Sequence, residues 1–309
     1  MPSYHVERSI SIHAPLQKVK DTLRDFKQWP KWSPWIIMEP DATLAYSDRQ
    51  GQVGATYGWS GTLVGAGSME LMEVNDRHLT MQIVFVKPFR STVSIGFDLD
   101  EEGEFAKVTW HMDGRLPFFM FWMTEKMKTY IGMDYERGLS MLKEYLETGA
   151  VASYVIIEGV VPMKEQHYVG IPNTCAIKEL GEVMKKDFET LDAFMEEKGL
   201  SRERVPFSIY NTFDMLKKES NYIACIPLDE DVEIQEGWVR GTVEKRDALK
   251  TIHTGRYLHL GNAWSTAMRF SRLKKIRTTK MPVGYEYYPN NPYDTPEEEL
   301  VTEVFLPLK

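Results

Sequence analysis

Hydrophobic and polar residues alternate with a period of two through most of the first 148 residues, which is typical of strands that bury one face. The run "YHVERSISI" (4–12) has this character, and five more such runs follow between residues 55 and 112. Polar turns such as "NDRH" (75–78) and "DEEGE" (100–104) separate several of them, as an antiparallel meander requires. The pattern therefore predicts one large antiparallel sheet.

Two helical patterns flank these strands. "APLQKVKDTLRDF" (14–26) places a proline at the start of a helical repeat of apolar residues. The last pattern, "WMTEKMKTYIGMDYERGLSMLKEYLE" (122–147), carries an apolar stripe whose members lie about one turn apart: Met127, Ile131, Tyr135, Leu139, Leu142 and Leu146. The small residues of "TGAVAS" (148–153) then interrupt the pattern. We therefore predict a first domain over 1–148, a linker at about 148–153 and a second domain over 154–309.

The second half of the chain contains a faint internal repeat. The segments "VPFSIYNTFDMLKKESNYIACIPL" (205–228) and "MPVGYEYYPNNPYDTPEEELVTEVFLPL" (281–308) each read as a strand, a polar turn and a second strand, and their Pro-Leu endings lie 80 residues apart. Each is preceded by a helical pattern, the first at 177–200 and a shorter one at 262–276. A strand-helix-strand-strand unit present twice predicts a pseudo-symmetric sheet with a cleft where the copies meet. The fold class is therefore α+β in both halves.

Charge and composition exclude several classes of function. The net charge of −8 opposes a nucleic-acid surface, which needs a basic face, so we expect no direct binding to DNA. No apolar run reaches the roughly 18 residues of a membrane-spanning helix, and the polar opening "MPSYHVERSI" does not resemble a signal peptide. With Cys175 and Cys225 as the two cysteines, we expect free thiols and a cytoplasmic location.

The stretch "PVGYEYYPNNP" (282–292) places a carboxylate among three tyrosines. In a strand, Glu286 and Tyr288 point to one face, and Tyr285 and Tyr287 point to the other. Aromatic faces attract cations, and a carboxylate in a partly dry pocket strengthens that attraction because water screens it less. The alternative is that Glu286 is a solvated strand residue or the partner of a nearby basic residue.

Aromatic residues of the first domain have two interpretations. "WPKWSPW" (29–35) is either a lid over a cavity or, as we favour, a loop pinned by its aromatic residues against the end of the sheet. The aromatic-rich "PFFMFW" (117–122) is either a cavity mouth or core. The same choice between cavity lining and ordinary core applies to Trp59, Phe85, Phe97, Trp110 and Met123.

Sequence motifs for a metal or cofactor are not evident. The seven histidines and two cysteines show no HxH, HExxH or CxxC spacing, and "GAGSME" (65–70) lacks the spacing of a phosphate or dinucleotide loop. We therefore expect no metal and no cofactor. The basic segment "RFSRLKKIRTTK" (269–280) fits either an anionic partner or, as we favour, a solvated helix end.

The first domain resembles the START-like superfamily, also called the SRPBCC or polyketide-cyclase family, over residues 3 to 147. The resemblance rests on "SISIHAPLQKVKDTLRDFKQWPKWSPW", "GATYGWSG" followed by "GAGSMELMEV", and "IGMDYERGLSMLKEYLE". It implies a helix-grip fold, in which an antiparallel sheet wraps the long last helix around an apolar cavity.

The second domain resembles the GyrI-like effector-binding domain of multidrug-sensing transcription activators. The matching stretches are "HTGRYLHLGNAW" and "YEYYPNNPYDTPEEELVTEVFLPL". The resemblance implies that Glu286 lies in the cleft between the repeats and meets the positive charge of lipophilic cations. It also places Tyr257 and Trp264 near that cleft. We expect Tyr288 to join them because it shares the strand face of Glu286, and Tyr210 of the first repeat to face the cleft from the opposite side. No helix-turn-helix pattern precedes the domain, in contrast to those activators.

Three functions fit these observations. The one we favour is a non-catalytic small-molecule binding protein for sensing or sequestration, with an apolar ligand in the first domain and a lipophilic or cationic effector in the second. The second is a hydrolase of strained electrophiles that uses Glu286 as a base, as some GyrI-like proteins imply. The third, by resemblance to chaperone-regulating START-like proteins, is a protein-interaction module. The oligomeric state does not follow from the sequence.

Overall fold

The computed structural model describes residues 3–115, 122–200, 204–228 and 232–309. The chain forms two compact units, Met1–Val151 and Ala152–Lys309. Both are α+β, as the sequence predicts. No helix among the described residues is long and apolar enough to cross a membrane.

The first unit is a seven-stranded antiparallel sheet with a long helix packed on it. Its strands follow the order β1-β7-β6-β5-β4-β3-β2, so the first strand pairs with the last. The strands are β1 Ser3–Ile12, β2 Thr43–Tyr46, β3 Thr56–Ser60, β4 Ala66–Val74, β5 His78–Lys87, β6 Ser91–Glu102 and β7 Phe105–Arg115. The helices are α1 Leu16–Arg24, a 3₁₀ helix at Phe26–Lys31, α2 Pro34–Met38 and α3 Thr124–Thr148. This arrangement confirms the predicted helix-grip fold.

Strand β2 is not predicted from the sequence. Its four residues, "TLAY", are too few to show a period-two pattern by themselves. The strand forms because it extends the edge of the sheet next to β3.

An aromatic cluster fills the space between the sheet and α3. Trp110 of β7 stacks on Tyr135 of α3, with ring centroids 4.0 Å apart and the ring planes at 8°. Trp29 and Trp32 are buried against Trp110, with centroid distances of 6.1 and 5.7 Å. "WPKWSPW" is thus pinned by its aromatics, as favoured, although it forms two short helices rather than a loop.

The cavity-lining candidates fall into two groups. Phe97 and Trp110 are fully buried members of the core. Trp59, Phe85 and Met123 are half-buried, and the rings of Trp59 and Phe85 meet edge to face at 6.0 Å. The proposed cavity mouth "PFFMFW" lies outside the described residues, except for an exposed Trp122.

A buried carboxylate ties the end of α2 to the turn between β3 and β4. Glu39 accepts hydrogen bonds from the backbone N–H groups of Thr62, Leu63 and Val64 at 2.6, 2.7 and 2.8 Å. It is 8% exposed. Because one carboxylate accepts hydrogen bonds from three consecutive backbone N–H groups, it fixes the conformation of the turn.

The second unit is an eight-stranded sheet built from two copies of one motif. The strand order is β12-β9-β11-β10-β14-β15-β13-β8. The strands are β8 Ser153–Met163, β9 Gln166–Ala176, β10 Phe207–Asp214, β11 Glu219–Pro227, β12 Val239–Val243, β13 Arg246–Gly255, β14 Gly284–Tyr287 and β15 Val301–Pro307. The helices are α4 Leu180–Glu197 and α5 Gly261–Lys274, and short 3₁₀ helices lie at Ile177–Glu179, Tyr257–His259 and Glu297–Glu299.

The predicted strand-helix-strand-strand repeat is confirmed as β9-α4-β10-β11 and β13-α5-β14-β15. The two copies join where β10 pairs with β14, in antiparallel register. Each copy also receives an edge strand that precedes the other copy in the chain, since β8 pairs with β13 and β12 pairs with β9. This exchange interlocks the two repeats within one sheet.

Two further predictions concern single residues of this unit. Cys175 and Cys225 are free thiols, as predicted. The basic segment at 269–280 forms the end of α5 and the turn after it, and five of its six basic side chains are exposed, which fits a solvated helix end.

Candidate functional site

Glu286 lies at the centre of the second sheet, where the two repeats meet. Strand β14 runs between β10 and β15, and Glu286 pairs with Ser208 on one side and Val304 on the other. The period of two sends Glu286 to the helix-covered face, while Tyr287 packs on the opposite face against Phe207. Glu286 is 3% exposed, so the alternative of a solvated strand residue is wrong.

Three aromatic side chains donate hydrogen bonds to this carboxylate. The hydroxyls of Tyr210 and Tyr288 bond to Oε2 at 2.7 Å each. The indole Nε1 of Trp264 bonds to Oε1. Three of the other four residues predicted for the site therefore converge on the carboxylate of Glu286: Tyr210 from β10, Tyr288 from the turn after β14, and Trp264 from α5.

Tyr257, the fifth predicted residue, lies at the rim. It belongs to the 3₁₀ helix before α5 and is 38% exposed. Its ring meets that of Tyr288 edge to face, with centroids 6.0 Å apart. Burial, with a smaller effect of the Glu286 charge, raises the pKa of Tyr257 to about 12. Tyr257 is therefore a neutral phenol at the solvent-facing side of the site.

The internal repeat explains how the site is assembled. Tyr210 and Glu286 occupy matching positions, each four residues after a proline, Pro206 and Pro282. The "Leu-Gly" pairs at 180–181 and 260–261 align the two helices, which makes Met184 the counterpart of Trp264. The site is therefore an asymmetric version of a two-fold arrangement, with the acid and the indole both from the second repeat.

Sequence reasoning missed Met184 and Ser208. The sulfur of Met184 lies 3.6 Å from the hydroxyl of Ser208 and 3.5 Å from that of Tyr288, and the two hydroxyls lie 3.1 Å from each other. Aligning the two helices through their shared Leu-Gly would have identified Met184, because its counterpart Trp264 was already a candidate. Methionine is a polarizable and adaptable side chain that suits a binding surface.

Glycine at position 284 allows the indole to lie close to the sheet. A Cβ at Gly284 would stand 2.7 Å from Cη2 of Trp264 and 2.6 Å from the backbone oxygen of Phe305. Real side chains do not approach so closely, so this position accepts only glycine while Trp264 keeps its place.

The electrostatics of the site balance burial against hydrogen bonding. Burial raises the pKa of Glu286, and the bonds from Trp264, Tyr210 and Tyr288 oppose that rise without cancelling it. The same burial, together with the Glu286 charge, holds the pKa of Tyr210 and Tyr288 well above the ordinary value. The donors are neutral groups, so an ionised Glu286 keeps a net negative charge in a dry environment.

This raised pKa predicts a pH-dependent difference between the wild type and Glu286→Gln. The folded state binds the Glu286 proton more tightly than the unfolded state, so the free energy of unfolding falls as pH rises through the unfolded and then the folded pKa. We expect the wild type to lose stability relative to the variant as pH rises above about 4, the ordinary pKa of a glutamate, and the loss to stop once pH exceeds the folded pKa. Urea unfolding of both proteins at a series of pH values gives the free energy of unfolding of the wild type minus that of the variant. A value that rises with pH would contradict the assignment.

A second buried carboxylate of this unit lies on the face of α4 that packs against the sheet. Asp187, 9% exposed, accepts a hydrogen bond from the hydroxyl of Tyr222 at 2.6 Å and from Nδ2 of Asn173 at 3.2 Å. Both partners belong to strands that α4 covers, β11 and β9. This network fixes the helix on the sheet, and Asp187 has an anchoring role rather than a place in the cleft.

Comparisons with known proteins match each unit to a family. Residues 3–147 match the family described as polyketide cyclase / dehydrase and lipid transport, and residues 160–309 match the GyrI-like small molecule binding domain. No curated protein matches the chain.

Several solved structures resemble parts of the chain. The solution structure of the Aha1 dimer from Colwellia psychrerythraea is 17% identical, with a TM-score of 0.36, and covers 47% of this chain and 98% of its own. The cryo-EM structure of an EcmrR–DNA complex is 16% identical, with a TM-score of 0.44, and covers 60% of this chain and 69% of its own. The crystal structure of Ara h 8.0201 is 10% identical, with a TM-score of 0.36, and covers 48% of this chain and 99% of its own.

Proposed function

Because residues 3–147 belong to the polyketide cyclase / dehydrase and lipid transport family and residues 160–309 to the GyrI-like small molecule binding domains, we propose that the protein binds a lipophilic organic cation at Glu286 and an apolar molecule in its first unit. Its role is then sensing or sequestration rather than chemistry.

One observation carries the cation assignment: a buried carboxylate whose partners are aromatic and neutral. Tyr210, Tyr288 and Trp264 supply hydrogen bonds to Glu286 but no compensating positive charge. Their rings and that of Tyr257 supply electron-rich faces, which attract cations by about 0.5–2 kcal/mol each. A lipophilic cation supplies the missing charge, and it loses little hydration when it enters an aromatic site.

The hydrogen bonds also select the kind of cation. The carboxylate oxygens already accept three of about four possible hydrogen bonds, so a primary ammonium group finds one free acceptor site for its three N–H donors and must compete with the phenol and indole donors for any other. A quaternary onium ion has no N–H group and does not compete. It is attracted through its charge and through ring faces alone, so the site favours quaternary over primary cations.

The same geometry opposes the hydrolase alternative. A general base needs a lone pair directed at the water that it deprotonates. The two tyrosine hydroxyls and the indole direct three hydrogen bonds at the carboxylate oxygens of Glu286, which leaves about one of its four lone-pair sites for a water molecule. We therefore propose binding without turnover at this site.

Isothermal titration calorimetry of the full chain tests the proposal. We expect saturable binding of tetraphenylphosphonium and much weaker binding of the neutral triphenylphosphine oxide and of a primary alkylammonium ion of similar size. In a separate incubation, the protein is mixed with a strained epoxide, and mass spectrometry checks for the hydrolysed product. Equal affinity for the charged and neutral compounds would refute a cation site, and epoxide hydrolysis lost in Glu286→Gln would favour the hydrolase.

The apolar ligand of the first unit rests on a different observation. Within the described residues, three buried polar atoms of its core have no hydrogen-bond partner: Nε1 of Trp32, Nε1 of Trp110 and the hydroxyl of Tyr135. They belong to neighbouring rings of the aromatic cluster. Buried donors of this kind are rare without a partner. We propose that the first unit binds a mainly apolar molecule that carries one hydrogen-bond acceptor.

Tyr135→Phe tests this second site. The variant removes a buried hydroxyl that has no partner, so we expect the ligand-free protein to keep or gain up to about 1 kcal/mol in free energy of unfolding. The matched control is Tyr222→Phe, which removes a hydroxyl bonded to Asp187 and should cost about 1.5–3 kcal/mol. Urea unfolding compares the two variants. A loss at position 135 as large as that at 222 would show that the Tyr135 hydroxyl is already satisfied.

A further inference from the structure

The exposed face of the first sheet brings together two histidines and an aspartate that are far apart in sequence. His78 lies on β5, Asp98 on β6 and His111 on β7. His78 pairs directly with Asp98, and His111 pairs with Gly96, two residues before that aspartate. Strand pairing therefore creates a constellation that sequence spacing does not show.

The absence of a side chain at position 96 permits this arrangement. A Cβ on Gly96 would collide with Nε2 and Cε1 of His111. The imidazole of His111 thus leans across β6, over the glycine, toward Asp98. Any other residue at position 96 would displace the ring from the carboxylate.

The distances suit a small divalent ion. Nδ1 of His78 lies 2.5 Å from Oδ1 of Asp98, and Nε2 of His111 lies 3.4 Å from Oδ2. All three donor atoms lie within 4.8 Å of one another. Tetrahedral zinc with bonds of about 2.0–2.1 Å needs donor atoms roughly 3.4 Å apart. The distance between His111 and Asp98 already meets this requirement, and the shorter distance between His78 and Asp98 must lengthen.

A neighbouring hydroxyl orients one of the histidines. Oγ1 of Thr80 lies 2.7 Å from Nε2 of His78. When Thr80 Oγ1 accepts a hydrogen bond from Nε2–H of His78, the other ring nitrogen, Nδ1, carries the free lone pair and lies on the side of Asp98. Ligating histidines commonly have such a partner on the second ring nitrogen, which fixes the tautomer.

We propose that His78, Asp98 and His111 form a binding site for a borderline divalent cation, with Zn²⁺ as the probe, in which water completes the coordination. Two imidazoles and one carboxylate are a donor set that zinc accepts, whereas calcium and magnesium prefer oxygen donors alone. The ring centroids of the two imidazoles lie 5.8 Å apart, and the ring planes are nearly parallel, at 19°. To coordinate one ion together, the more exposed ring, that of His78, would rotate so that its Nδ1 faces the ion. A bound ion would bridge three adjacent strands and stabilise the sheet.

The alternative is that Asp98 forms hydrogen bonds to the two histidines and binds no metal. Both interpretations use the same contacts, so titration with an ion is needed to separate them. The chain offers a matched control in His13, which approaches Glu104 at 3.7 Å and belongs to the same unit but is absent from the three-residue cluster.

The experiment measures Zn²⁺ binding to the metal-stripped full chain by calorimetry and Co²⁺ binding by visible absorption. We expect one saturable zinc site and a tetrahedral cobalt spectrum in the wild type and in His13→Gln. His111→Gln and Asp98→Asn should weaken zinc binding at least tenfold, and Thr80→Val should weaken it to a smaller degree. Circular dichroism confirms that each variant is folded. Equal zinc affinity in wild type and His111→Gln, or no saturable binding in the wild type, would overturn the proposal.

Discussion

We expect the replacement of Glu286 with glutamine to remove about half or more of the stabilisation that a lipophilic cation gives to the wild type. At a concentration of about 100 times its Kd, tetraphenylphosphonium adds about 2.7 kcal/mol to the free energy of unfolding of the protein that binds it. Glutamine keeps the shape of the side chain but removes the charge that attracts the ligand. We expect the Kd to rise at least tenfold, which corresponds to about 1.4 kcal/mol. Thermal unfolding with and without the ligand measures the change.

The control for this experiment is Glu299→Gln. Glu299 is an exposed acid in the same repeat, so its replacement changes the net charge equally without touching the site. It should leave the ligand-induced shift in Tm as it is in the wild type. An equal shift in Glu286→Gln would place the cation elsewhere on the protein, and the binding proposal would then fail at this residue.

Replacing Glu39 with alanine is expected to cost the first unit on the order of 3–5 kcal/mol. The carboxylate is the hydrogen-bond acceptor of three consecutive backbone N–H groups, those of residues 62 to 64. Two of these three residues, Leu63 and Val64, are buried, so water does not readily replace the lost acceptor. Hydrogen bonds to a charged group are each stronger than neutral ones, and buried donors left without a partner carry the full cost of desolvation.

Urea unfolding of Glu39→Ala checks this effect, with Glu70→Ala as the matched control. Glu70 is an exposed acid on β4, close in sequence to the same turn, and its replacement should change the free energy of unfolding by less than about 0.5 kcal/mol. Similar losses in the two variants would show that the turn does not depend on the Glu39 carboxylate. Cation binding at Glu286 should remain in folded Glu39→Ala, because Glu39 belongs to the other unit.

Most of the fold could be predicted because its elements have local signals. The apolar stripe from Met127 to Leu146 predicts α3, and the alternating runs predict six of the seven strands of the first sheet. The exception is the short β2, which has no periodicity of its own and forms through pairing with β3. The internal repeat predicted the two matching motifs of the second sheet. It could not predict the exchanged edge strands, because strand partners far apart in the chain leave no local pattern.

The candidate sites differ in how far the sequence reveals them. Glu286 and Tyr288 are two residues apart, and alternation along a strand assigns them to one face, so this part was predictable from the residues themselves. Tyr210 and Trp264 lie 76 and 22 residues before Glu286, and only the resemblance to a known family indicated them. Met184 was missed because it lies 102 residues before Glu286 and meets the site through the packing of α4. The cluster of His78, Asp98 and His111 gave no signal, since its members are 20 and 13 residues apart and meet through strand register alone.

The sequence by itself determined the α+β class, the repeat in the second half and a carboxylate set among tyrosines, because periodicity and short-range spacing express these properties directly. The tertiary structure alone decided that Glu286 is buried, that its three donors are neutral, and that two histidines meet an aspartate on the first sheet. The physical reason is that burial and the pairing of distant strands depend on the packing of the whole domain. The charge of Glu286 matters for binding only because this packing surrounds it with dry, aromatic side chains.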